Sequence, residues 1–355
     1  MAIQLVTQAV NKEFDKAKVL DGEKQLPSFL FPIVKGSTAA GVNMQALTVN
    51  GFAVASHTRD GRSQVVTYNP GSEEQYVPEV GGRMTPITPS MRDQAIVGLP
   101  ADSPQKAIML ERAEQIMEEH KVGFKMTKIH QALEVYLSGT ETYIDEVGDA
   151  VHVVDFARSS SLTDVAVDFT SVAMDAALKT GIDLLEAQSA DMDGLYAIMG
   201  SSWLTEYQTD SIVKAKMLNN AQNVLVESQR VIKEVEGIKG LRFIGRYQPD
   251  GTSVWIDILA YSPGTKYYAT NGAGGADFMP AAKMIMASRN TKAYTFNRGF
   301  EVYNDDGKLI TVYGDMAFDS VTDKMARTEF ICSHHRVLYA VSNINHTLSM
   351  EGTFA

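Results

Sequence analysis

The chain has 355 residues, 45% of them hydrophobic, and a formal charge of −11 from 32 basic and 43 acidic side chains. That length can bury a sizeable core in one large domain or two, and an acidic balance without any basic run argues against a protein that reads nucleic acid. A single cysteine, Cys332 in the apolar run Phe330-Ile-Cys, excludes an internal disulfide and is expected to be a buried structural thiol.

The opening Met-Ala-Ile-Gln-Leu-Val lacks the basic region and long apolar stretch of a signal peptide, and no apolar run approaches membrane-spanning length. A soluble protein made in the cytoplasm is expected. Residues 1–44 carry mixed charge and little periodicity, and read as an N-terminal arm. Within it, Leu26-Pro-Ser-Phe-Leu-Phe-Pro32 is expected to be an extended apolar anchor, because both prolines disfavour a helix. Phe29, Leu30 and Phe31 would pack on the same domain or on a neighbour.

Residues 45–95 alternate in strand fashion, as in Gln64-Val-Val-Thr-Tyr68, between turns at Asn69-Pro-Gly, Gly81-Gly and Pro86/Pro89. Two strands with a long polar tip make a protruding hairpin, which is marginal by itself in water. The hairpin is expected to lie across a partner; folding back on its own sheet is the alternative. At its tip, Glu73, Glu74, Glu79 and Arg83 are candidates for salt bridges to neighbouring subunits.

The longest helical pattern follows. Ser103 suits an N-cap, Pro104 the first helical position, and Gly139 the stop. Between them Met109, Ala113, Ile116, Met117, Phe124, Leu133 and Leu137 recur near the helical period. Such a helix would be about 50 Å long at 1.5 Å per residue, which suggests a spine rather than a core element. A polar hairpin and the segment Val154-Asp-Phe-Ala-Arg158 come next. Residues 168–190 and 211–235 read as helices, 194–200 as a short buried strand, and 202–209 as a helix with Ser202 as its cap. From residue 241 strands dominate, at 241–247, 253–262, 281–288, 308–314 and 328–349, with turns at Pro249-Asp-Gly, Pro263-Gly and Asn304-Asp-Asp-Gly. Helices mixed with largely antiparallel strands predict an α+β fold.

No motif assembles into catalytic chemistry. His334 and His335 are adjacent on a strand and point to opposite faces, so they do not share a metal ion with His346. Glu118-Glu119-His120 lacks the second histidine of a zinc-protease helix and is expected to be a solvated face with ion pairs. Asn271-Gly-Ala-Gly-Gly-Ala276 lacks the following helix and the Lys-Ser/Thr pair of a phosphate loop, and is expected to be a flexible connection. Ser159-Ser-Ser161 lacks the glycines of a nucleophile elbow. Asp145, Glu146 and Asp149 lack the spacing of a hand-type calcium loop. No catalytic residue, metal or cofactor is expected.

The order of these segments resembles the lambda-like family of phage major capsid proteins. Leu137-Ser-Gly-Thr, residues 143–154 and Val154-Asp-Phe-Ala-Arg158 resemble its helix exit, hairpin and following signature. Arg242-Phe-Ile-Gly-Arg-Tyr247, residues 255–261, Asp277-Phe-Met-Pro-Ala-Ala-Lys-Met-Ile-Met286, Thr311-Val-Tyr-Gly314 and residues 334–350 resemble its later segments. The resemblance implies a Hong Kong 97-type fold and a structural role: a shell of pentamers and hexamers around the double-stranded DNA of a tailed phage. It divides the chain into an arm at 1–44, an extended loop at 45–95, and a peripheral domain carrying the spine at 96–167. An axial domain at 168–315 and a return to the peripheral domain at 316–355 complete it. Scaffolding, portal and decoration proteins are the implied partners, with packaged DNA nearby but not specifically bound, and no membrane. The implied location is the virion, after assembly in the host cytoplasm. A bacterial nanocompartment (encapsulin-like) shell is the alternative within the fold, and an enzyme with a lidded pocket the alternative outside it. Some shells of this fold weld subunits through a lysine on the extended loop. Here no lysine lies between Lys35 and Lys106, so that crosslink is not expected.

Overall fold

A computed structural model of the chain describes residues 25–37, 42–45, 73–76, 81–87, 104–144, 150–216, 237–262, 266, 275–298, 300–303, 309–312, 316–323 and 328–354. In chain order, a short helix α1 (Leu26–Leu30) leads into strands β1 (Ile33–Ser37), β2 (Val42–Gln45), β3 (Glu73–Tyr76) and β4 (Gly81–Ile87). The long helix α2 (Pro104–Ser138) is followed by β5 (Thr140–Ile144), β6 (Ala150–Asp155), β7 (Val165–Asp168) and helix α3 (Met174–Ala187). Then come β8 (Leu195–Met199), helix α4 (Ser201–Thr209), β9 (Leu241–Tyr247), β10 (Ile256–Tyr261), β11 (Lys283–Ser288) and β12 (Ala293–Arg298). The remaining strands are β13 (Phe300–Tyr303), β14 (Leu309–Val312), β15 (Met316–Asp323), β16 (Thr328–His335), β17 (Val337–Val341) and β18 (Thr347–Thr353).

A six-stranded sheet in the order β7-β18-β11-β8-β10-β9 forms the centre. Both of its faces are covered, which is why β8, β10 and β11 read as continuous apolar runs rather than alternating ones. The period of two sorts their side chains. Leu195, Ala197, Met199, Ile256, Ile258, Met284 and Met286 face α3 and α4, with Leu348 and Met350 from β18. Tyr196, Ile198, Leu259, Tyr261, Ile285 and Ala287 face the other way, into a core shared with α1, the end of α2, β17 and the β5–β6 hairpin. The sheet is mixed: β8 runs parallel to β10 and β7 parallel to β18, while the other pairs are antiparallel. Among the described strands antiparallel pairing predominates, as expected, and β1 with β12 is the third parallel pair. Strands β12, β13 and β15 lie outside the expected set.

The spine is found as expected, helical from Pro104 to Ser138. Its N-terminal part presents one stripe, in which Ala113, Ile116 and Met117 pack on Phe318 and Ile331 of the sheet β15-β16-β4. Its C-terminal part is buried nearly all round, with Ala132, Leu133, Val135 and Tyr136 at 1% exposure or less, because the arm, hairpin and main sheet surround it. Gly139 ends it at φ +79°, a left-handed conformation that favours glycine; an added Cβ there would also lie 2.7 Å from Arg158 Cβ. Ser103 and the predicted cap lie outside the described residues.

Three local expectations need correction. Residues 26–30 are helical, not extended: Pro27 falls in the first turn, where a missing N–H costs nothing, and only Pro32 acts as a stop. Residues 165–168 are a strand, and α3 begins at Met174. There Asp168 Oδ1 accepts from Thr170 N at 3.0 Å and turns the chain after the strand. Helix α4 is capped by Gly200 rather than Ser202. Gly200 N donates to Lys283 O at 2.9 Å, and a Cβ at that position would lie 2.1 Å from Pro280 O. Of the helix expected over 211–235, residues 211–216 are helical and the rest lies outside the described residues.

Candidate functional site

A dense set of polar contacts lies where α1, the end of α2, the β5–β6 hairpin and β17 meet. Helices leave their last carbonyls without internal partners. At the end of the spine Arg158 supplies the missing donors: its guanidinium donates to Tyr136 O at 2.6 Å and to Leu137 O. It also donates to Thr163 Oγ1 at 2.9 Å and to Ser349 Oγ at 3.0 Å on β18. Burial lowers its pKa to about 10, so it stays cationic at neutral pH, beside the negative end of the helix dipole. The planar fork of arginine suits two adjacent carbonyls as lysine does not. Asp164 extends the cluster, accepting from Lys283 Nζ at 2.7 Å.

The arm is fastened at the same place. Tyr136 is fully buried, and its hydroxyl donates to Leu30 O at 3.0 Å. The Phe31 ring lies 5.4 Å from that of Tyr136 and 4.9 Å from that of Tyr339. Leu30 and Phe31, expected as contacts between subunits, are therefore buried in the core of their own chain. Of the two alternatives for the anchor, packing on its own domain is the one observed for these two residues. Phe29 is half-buried, with its ring 5.2 Å from that of Tyr196 and Arg289 stacked over it at 5.5 Å.

Glu141 lies on the same strand as Tyr143, two residues away and on the same face. It is fully buried. One oxygen lies 2.9 Å from the Tyr143 hydroxyl, and the other accepts from Tyr339 N at 2.9 Å. Burial raises its pKa from 4.5 to about 8. Glu134, on the facing turn of the spine, is raised by burial too, although Thr142 N and Thr142 Oγ1 donate to it at 3.0 and 2.5 Å. Sequence reading passed over Glu141; its only signal was an acid alternating with a tyrosine in the run Thr-Glu-Thr-Tyr.

The loop candidates are placed in two sheets. Glu73 and Glu74 lie on β3, opposite Gln45 and Met44 of β2. Arg83 lies on β4, opposite Ser333 of β16. Glu79 is outside the described residues, as are Gln64 to Tyr68, the hairpin tip with Asp145, Glu146 and Asp149, and the glycines 272 and 274. Strand β4 is thus joined to the sheet that carries the spine. His120 pins it: one ring nitrogen lies 2.7 Å from Thr85 Oγ1 on β4 and the other 2.7 Å from Ser333 Oγ on β16. His120 is 1% exposed, so the expectation of a solvated helix face is corrected at that residue. Beside it, Lys121 pairs with Glu118 at 2.9 Å, one turn apart.

Two further polar clusters brace the rest of the chain. Asp175, in the first turn of α3, accepts from Lys216 Nζ at 2.5 Å and from the Tyr247 hydroxyl at 2.6 Å. Asp257 on β10 pairs with Arg246 at 2.7 Å and Arg289 at 3.2 Å. The first ties α3 to Lys216 and to β9, and the second ties β10 to β9 and to Arg289 after β11. His334 and His335 pair with different residues of β15, and the His335 ring packs 4.7 Å from that of Phe124. Cys332 is buried, as expected. Among the described residues no group of three potential ligands could hold a metal ion, and no helix is long and apolar enough to cross a membrane.

No family model matches the sequence, and no curated protein matches it. Among solved structures, the chain is similar to a prophage capsid protein of E. coli CFT073, with a TM-score of 0.60 at 12% identity over 97% of this chain and 99% of that one. It aligns less closely with the mature capsid of bacteriophage PhiM1, with a TM-score of 0.48 at 9% identity over 94% and 88% of the two chains. For the SrpI encapsulin of Synechococcus elongatus PCC 7942 the TM-score is 0.42 at 8% identity, over 95% and 94%. The first of these establishes the fold: a mixed α+β chain of the phage-capsid type, as the order of the sequence segments led one to expect.

Proposed function

We propose that this chain, which has the phage-capsid fold, is the major capsid protein of a tailed double-stranded DNA phage. It assembles as pentamers and hexamers into the icosahedral head that encloses the genome. The observation that carries this reading is the match in fold to a capsid protein over 97% of this chain and 99% of that one. The polar clusters support it, since each braces one element against another. The function is structural rather than enzymatic.

In this reading residues 1–44 are the arm, 45–95 the extended loop and 96–167 the peripheral domain; 168–315 form the axial domain, and 316–355 return to the peripheral domain. Glu73, Glu74, Glu79 and Arg83 contact neighbouring subunits. Scaffolding, portal and decoration proteins are the partners, and the shell passes from the host cytoplasm to the virion. The charge of −11 suits a wall that packaged DNA must slide against rather than bind. Electron microscopy of the expressed protein, alone and with its scaffolding protein, tests the assignment. Closed shells support it; a protein that stays monomeric under all conditions, or shells filled with a cargo enzyme, would overturn it. With no lysine from 36 to 105, boiling mature particles in detergent should give one band at monomer mass. A ladder of covalent oligomers would refute the non-covalent shell.

A further inference from the structure

The Tyr143 hydroxyl has one proton and two acceptor neighbours. It lies 2.9 Å from Glu141 Oε1 and 3.0 Å from Val337 O, and a carbonyl can only accept. Were Glu141 ionised, both neighbours would be acceptors and one contact would have no proton in it. A proton on Glu141 completes the chain: Glu141 Oε1–H donates to Tyr143 Oη, Tyr143 Oη–H donates to Val337 O, and Tyr339 N–H donates to Glu141 Oε2. We propose that Glu141 is held protonated in the folded chain and forms a proton-dependent latch between the β5–β6 hairpin and strand β17.

Burial, the largest effect, and Glu134 favour the proton, while the hydrogen bonds from Tyr339 N and Tyr143 favour the carboxylate. From the spine the facing charge is Glu134, another acid, which opposes a second negative charge. The hairpin contributes Tyr143, whose ring lies 6.0 Å from that of His152 at a tilt of 38°. Strand β17 contributes the backbone carbonyl of Val337 and the backbone N–H of Tyr339. No cation pairs with Glu141 among the described residues. Burial acts in the same direction, holding the proton up to about pH 8. Ionisation turns the Tyr143 proton to the carboxylate and releases Val337 O, so the hairpin loses one of its ties to β17. The latch lies within a single chain and does not depend on assembly.

The sign follows from linkage. An acid that keeps its proton in the folded chain and loses it in the unfolded one makes stability fall as pH rises. The window runs from the ordinary value of 4.5 to about 8. Across it the folded-to-unfolded ratio should drop about tenfold per pH unit from this group. Glu141→Gln keeps the shape and the donor but cannot ionise. The experiment is urea unfolding of the dispersed full-length subunit, wild type and E141Q, from about pH 5 to about pH 9. E141Q is expected to match the wild type at the acid end and to become progressively more stable than it towards the alkaline end. A constant difference between the two across the window would overturn the proposal. If E141Q does not fold, infrared spectroscopy of the E134Q protein decides. A protonated-carboxyl band that persists at neutral pH and is lost near pH 8 supports the latch, and its absence at neutral pH overturns it.

Discussion

Phe31 gives the sharpest test of where the arm belongs. Its side chain has no exposed surface and is shared between the rings of Tyr136 and Tyr339, 5.4 and 4.9 Å away. Phe31→Ala removes a buried ring and leaves a hole among side chains that a spine helix and a strand hold in place. Phenylalanine-to-alanine changes in such settings cost about 3–5 kcal/mol, and two lost aromatic contacts place this one toward the upper end. A chain of ordinary stability has about 5–15 kcal/mol in total, so the effect is large. Urea unfolding of the dispersed subunit, followed by circular dichroism, should show a lower midpoint with an unchanged slope. Phe29→Ala, at a half-buried position, is the control and should cost much less. If F31A changes the isolated subunit by less than about 1 kcal/mol, the arm does not seat in its own core, and its packing belongs to a neighbouring subunit.

Arg158→Lys keeps the charge but loses the two-pronged bond to the last carbonyls of the spine; a loss of about 2–3 kcal/mol in urea unfolding is expected, and a change under about 0.5 would contradict the capping role. Gly200→Ala should give no soluble folded protein, because the new methyl would lie 2.1 and 2.6 Å from two backbone oxygens. Native circular dichroism with normal stability from G200A would show that the turn can open. Charge reversal at both Glu73 and Glu74 should impair assembly while leaving the circular dichroism of the subunit intact, and a normal particle yield would remove that contact from the interface.

Much of the fold was legible because the relevant forces are local. The spine announces itself by a proline at its start, a glycine at its end and the helical recurrence between them. Gly139 works as a stop because its left-handed backbone is a property of that one residue. Strand β9 runs from Leu241 to Tyr247, as its sequence indicates, and β8 is fully buried, as an unbroken apolar run between glycines suggests. The α+β class followed from the mixture of the two periods.

What depended on distant partners was not legible. A proline constrains its own turn, so the sequence around Pro27 is compatible with either an extended anchor or a first helical turn; the seat offered by Tyr136 and Tyr339 coincides with the helical form. His120 belongs to a polar helix stretch by composition, yet strands β4 and β16 close over it and supply hydroxyls to both ring nitrogens. Glu141 is an unremarkable acid until the spine and β17 remove it from water. Its protonation, like the division of Leu30 and Phe31 from the surface, is decided by what surrounds a side chain. Part of those surroundings comes from segments more than a hundred residues away, such as β17 for Glu141 and Tyr136 for Leu30, which no local pattern encodes.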